Sequence, residues 1–180
     1  MKIPAALLLG VSLLLTASCA HLQPALSPNA KPEAQSAILY GRFSVGTNFV
    51  FHNKLALWLA DQKNHPVYVC FDAAQPVYGI QVHPGRYQIV GFAGLDRADK
   101  IEGRLPFSGS PQPFAATADK PIYLGDFTGE MTWDGLARYE WKIKSFTDNY
   151  AATTAEFHQK FPGCAAMPTE SVFRLSALKN

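Results

Sequence analysis

"VYGIQVHPGRYQIVGF", residues 77–92, sets the fold class. Val77–Val82 and Tyr87–Phe92 are short apolar runs rich in β-branched and aromatic residues, the composition that suits a pleated, half-buried surface. Between them Pro84-Gly85 fits the centre of a type II turn, where proline presets φ and glycine takes the positive φ that follows. The stretch therefore predicts a hairpin. Outward from it the rhythm repeats. "KLALWLAD" (54–61) and "PVYVCFD" (66–72) are near-continuous apolar runs, as expected of strands covered on both faces. "RYEWKIKSF" (138–146) alternates, with Tyr139, Trp141 and Ile143 on one face and Glu140, Lys142 and Lys144 on the other. Phe146 breaks that parity and marks a bulge or the strand's end. A short strand surrounds Phe114, another covers Pro121–Phe127, and "SVFRLSAL" (171–178) closes the chain. Turn residues spread through such runs predict a mainly β domain, a single antiparallel β-sandwich of about seven strands, over alternating βαβ units. One C-terminal α-helix joins it. In "DNYAATTAEFHQKFPG" (148–163), Tyr150, Thr154, Phe157 and Phe161 recur at helical spacing, Asp148 is placed to cap, and Pro162-Gly163 stops the helix.

Ahead of this domain, residues 38–180, lies a segment of another kind. Met1 and Lys2 precede an apolar run, Ile3–Leu15, that ends in the small residues Thr16, Ala17 and Ser18. That order is a secretory signal, and the run is shorter than the about 20 residues a bilayer span needs. Two cuts fit the junction. "TASC" resembles the lipobox of bacterial lipoproteins, which would make residues 1–18 the signal peptide and Cys19 the lipidated residue; Thr16 departs from the aliphatic residue usual there. Alternatively Ser18 and Ala20 form an ordinary signal-peptidase site and Cys19 is discarded. Residues 19–37, rich in Pro, Ala and Ser, are expected to form a flexible tether. The first reading implies a protein of the cell envelope, anchored to the outer membrane through lipid and facing the periplasm.

Either cut leaves Cys70 and Cys164. An even pair in an oxidising compartment predicts a disulfide, and closing a loop across a sequence separation of 94 (164 − 70) would stabilise by about 4 to 5 kcal/mol in the chain-entropy model.

"VHPGRYQIVGF" followed by "KPIYLGDFTGE" resembles the pattern of prealbumin-like, or carboxypeptidase-regulatory-like, β-sandwich domains. In those, a Pro-Gly-x-Tyr turn opens one core strand and an aliphatic-Tyr-Leu-Gly strand follows. The resemblance covers residues 38–147 and implies a fold carried by many small bacterial lipoproteins; it implies no particular activity.

Motifs for chemistry are scarce. The chain has 16 Lys plus Arg against 14 Asp plus Glu, scattered, so no basic stripe for nucleic acid is formed. No glycine-rich phosphate loop, G-x-S-x-G elbow or CxxC occurs, and no cofactor is indicated. The histidines, His21, His52, His65, His83 and His158, lack the spacing of a helical metal pair; His65 and His83 each precede a proline in a turn. Asp126 and Glu130 flank a turn and could converge with Asp134 as the acid-base set of a hydrolase or a calcium site, though the spacing matches no calcium loop. Tyr78, Phe107, Phe114 and Trp133 fall in turn-rich segments and are candidate anchors for a peptide, protein or glycan partner. The expectation is a binding or structural accessory module without catalytic residues, with an exported hydrolase as the alternative.

Overall fold

The computed structural model describes residues 21–23, 25–29, 31–45, 54–71, 75–95, 100–107, 113–133 and 139–172. In chain order these hold β1 (His21–Gln23), β2 (Ala37–Val45), β3 (Lys54–Asp61), β4 (Pro66–Cys70), β5 (Val77–Val82), β6 (Gly85–Leu95), β7 (Ile101–Pro106), β8 (Pro113–Ala116), β9 (Ile122–Trp133), β10 (Tyr139–Thr147), α1 (Tyr150–Lys160) and β11 (Glu170–Ser171). A single 3-10 turn, Pro162–Cys164, follows α1.

The protein is mainly β, built as two facing sheets. One runs β1-β4-β3-β6-β7, with β8 paired to the first half of β6. The other runs β10-β9-β2-β5, with β11 paired to the start of β9. Both sheets are mixed, because β1 lies parallel to β4 while β2 and β11 lie parallel to β9. The expected single antiparallel sandwich of about seven strands is therefore corrected to eleven strands, among the described residues, in two mixed sheets. Parallel neighbours need a long connection, and here the chain between β2 and β9 supplies it by building most of the opposite sheet.

The hairpin expected at residues 77–92 is also corrected. Both strands exist, but β5 pairs with β2 in one sheet and β6 pairs with β3 in the other. β2 on one side and Ala25 and Leu26 on the other take up the edges of β5, so the chain bends at Pro84 and crosses the sandwich. Gly85 accordingly lacks the positive φ of a type II turn.

Period-two burial sorts the side chains into layers. Leu55, Leu57 and Leu59 of β3 enter the space between the sheets with Leu39, Phe43, Ile80, Phe92, Leu124 and Phe127. Ala56 packs on the outer face with Tyr68, Ala93 and Leu95, as a strand covered on both faces requires. On the outer face of the second sheet, Ile38, Tyr40, Val77 and Tyr123 receive Phe157 and Phe161, worth about 1.5 to 3 kcal/mol per ring in transfer free energy. The helix begins at Tyr150, its N-cap position is Asn149, and Asp148 Oδ1 accepts from the Tyr150 amide at 3.2 Å. The irregularity anticipated near Phe146 sits between Ile143 and Ser145. Of the closing strand expected at 171–178, Ser171, which ends β11, and Val172 fall within the described residues.

The Cys70–Cys164 disulfide is not formed. Cys164 is buried beneath α1 on the outer face of one sheet, and Cys70 packs on the outer face of the other. The shared core lies between them. The expected flexible tether is corrected in the same way: β1 pairs with β4, the Leu26 amide donates to the Gly79 carbonyl at 2.6 Å, and Leu26 is buried with the helix. Gln81 Oε1 accepts from the Glu33 amide and the Ser36 hydroxyl, 2.6 and 2.8 Å away. Among the described residues of 21–37, β1, Leu26, Glu33 and Ser36 are thus held to the sandwich.

Candidate functional site

At one end of the sandwich two turns face each other across a cavity of about 300 Å3. The first joins β3 to β4. Asp61 Oδ1 accepts from the Lys63 and His65 amides, both at 2.8 Å, and Oδ2 lies 3.1 Å from His65 Nδ1. Asn64 takes a φ of 61° to let the chain reverse, a conformation asparagine tolerates better than most residues. Burial opposes ionisation of Asp61, but the two amides and the His65 ring outweigh it and hold the carboxyl below its usual range. An ionised carboxylate only accepts, so His65 Nδ1 carries the proton of that contact. This turn spends Asp61 on its own architecture and projects Lys63 and His65.

The second wall is the β5–β6 crossing, His83-Pro84-Gly85. Tyr87 fixes it by donating its hydroxyl to the His83 carbonyl at 2.8 Å, while its ring packs beside Phe114 in the core. Burial, then the nearby Asp61 charge, raises the Tyr87 phenol's pKa and keeps it a donor. The cleft so formed has Val67, Val82 and Tyr87 along its lining and Gln23, Lys63, His65, His83 and Arg86 as polar groups. Its volume is at the lower end for a small-ligand site. Chemically it offers two cations and two imidazoles beside one carboxylate that accepts from its own turn.

The carboxylates proposed for hydrolysis are placed otherwise. Asp126 is buried on the outer face of its sheet, under α1. Tyr123 Oη donates to its Oδ1 at 2.8 Å, Thr153 Oγ1 lies 2.9 Å from both oxygens, Asn149 Nδ2 donates at 3.2 Å, and Arg42 Nε is 3.7 Å away. Arg42 also pairs with Glu156 of the helix. Glu130 pairs with Lys144 of the neighbouring strand at 3.0 Å. The two acids are four residues apart on one strand, about 13 Å at an extended rise, and Asp134 lies outside the described residues.

Of the expected aromatic anchors, Tyr78 and Phe114 are core residues. Phe107 is 39 % exposed, edge-on to Phe92, and the Trp133 side chain lies outside the described set. His65 and His83 share the cleft, whereas His158 is on α1 beside Phe157; His52 lies outside the described residues. Among the described residues no group of three or more His, Cys, Asp or Glu is disposed to hold a metal ion. The cleft residues missed from sequence are Gln23, Lys63, Arg86 and Tyr87. Their signal was the two His-Pro dipeptides, which mark both walls, but only pairing of β1 with β4 and the crossing of β5 to β6 bring the walls together. The sequence matches no known family model and no curated protein.

Proposed function

We propose that this chain is an exported lipoprotein of the bacterial envelope, with residues 1–18 as signal peptide and Cys19 as lipid attachment site. Its prealbumin-like β-sandwich serves as a non-catalytic binding module. The observation that carries the binding role is the end cleft, where Lys63, His65, His83 and Arg86 converge from two turns over an apolar lining. The hydrolase alternative has less support, since Asp126 is committed to holding α1 and Glu130 to Lys144.

The test has two arms. Labelled palmitate is expected to enter the wild-type chain and not a Cys19→Ala variant; label in both, or in neither, removes the anchor. The purified chain is expected to leave model ester, amide and glycoside substrates unturned. Turnover abolished by Asp126→Asn or Glu130→Gln without loss of folding would replace the binding module with the hydrolase.

A further inference from the structure

We propose that the cleft end of the sandwich is its membrane-facing surface, and that the cleft takes the headgroup phosphate of an anionic phospholipid. This placement rests on the lipoprotein reading and adds to it an orientation and a ligand. β1 enters its sheet at His21, level with Val67 at the start of β4, next to the Asp61–His65 turn. Cys19 is two residues upstream, a reach of at most about 7 Å even when fully extended. Described residues of the segment that would have spaced the domain away from a bilayer are instead bound to the sandwich, Leu26 to Gly79 and Glu33 and Ser36 to Gln81. A lipid on Cys19 therefore brings this end, and no other, against the headgroups.

The chemistry at that end suits a phosphate. Lys63 and Arg86 face the cleft as a point charge and a planar fork, the two cationic geometries used for phosphate. The carboxylate that lines the cleft with them, Asp61, accepts from two backbone amides and the His65 ring, and its single negative charge still leaves Lys63 and Arg86 with a net excess of one positive charge. Lys120 is neutralised by Glu170 at 2.9 Å. Glu33 and Asp119 are not among the residues that line the cleft.

The full lipidated chain, extracted from envelopes and reconstituted into vesicles, provides the test. Hydrogen exchange of residues 61–67 and 82–87 is compared between phosphatidylcholine vesicles and vesicles with added phosphatidylglycerol. A basic residue at an anionic surface is worth about fivefold in occupancy, so exchange in these segments is expected to slow by about that factor or more with phosphatidylglycerol, while α1 is unchanged. The double variant K63E/R86E is expected to erase the difference while keeping the lipid. Equal exchange in the two vesicles, or protection centred on α1, overturns the placement. Equal protection from inorganic phosphate over phosphatidylcholine alone also overturns it, assigning the cleft to a soluble anion. A purified chain without the mass of the lipid removes the lipoprotein reading itself, a failure distinct from a lipidated chain that shows no exchange difference.

Discussion

Gly125 sits where β9 carries one residue more than its partner. Tyr40 pairs with Tyr123 and Arg42 with Asp126, so Gly41 alone opposes Leu124 and Gly125, and Gly125 absorbs the excess with a φ of 119°. The extra residue reverses the alternation of the strand beyond it. Tyr123 and Asp126 both reach the helix side as a result, while Leu124 and Phe127 both reach the core. Gly125→Ala is expected to lower stability by about 1 to 3 kcal/mol, read as a fall in Tm with the far-ultraviolet spectrum retained. Gly41 has no room either, since a Cβ there would stand 2.5 Å from the Gly125 carbonyl oxygen and 2.7 Å from the Tyr78 hydroxyl. The glycine in "YLGDF" is visible in the sequence, but a bulge is a property of a pair of strands, and β2 as the partner is not written near it.

At the scale of the element, α1 is held by two kinds of contact. Phe157 and Phe161 supply apolar burial, with the Phe157 ring stacked on Tyr40 at 4.2 Å. Asp126 supplies direction by joining Tyr123 and Arg42 of the sheet to Asn149 and Thr153 of the helix. Asp126→Ala strands these partners and is expected to cost about 3 kcal/mol; Thr153→Val removes one hydroxyl and is expected to cost about 1 kcal/mol. Chemical denaturation monitored by circular dichroism separates the two. Burial, only partly offset by the Thr154 hydroxyl, pushes the Tyr40 phenol up to about 12. A tyrosine in the unfolded chain titrates near 10, so this group's contribution is complete below about pH 10 and is lost as the pH rises toward 12. Alkaline titration should show Tyr40 ionising together with the loss of helix packing, and Tyr40→Phe should remove that step. The helix was legible because its 3.6-residue period is local. Its cap was not: Asn149 takes the position because its side chain also reaches Asp126, a partner 23 residues earlier.

For the whole molecule, the strands were more legible than their partners. Residues 54–61, 66–70, 77–82 and 87–92 carry apolar runs that read as strands wherever they pair, and the short strand at Phe114 is β8, whereas β1 and β11 are too short for any periodicity to show. The even cysteine count pointed to a bridge, but count says nothing of faces, and these two stand on opposite outer surfaces of the sandwich. The cleft was half legible: each His-Pro turn is visible, their meeting is not. The parallel pairing of β2 with β9 carries one more consequence, and it concerns time. Leu39 must find Ile122, a contact about 80 positions apart in the chain, and contacts so distant slow folding because loop closure precedes the gain. The antiparallel pairs of β3 with β4 and of β6 with β7 close over short connections. The β2–β9 pairing, on whose sheet the helix docks, is therefore expected to limit the folding rate rather than the hairpins on either side of it.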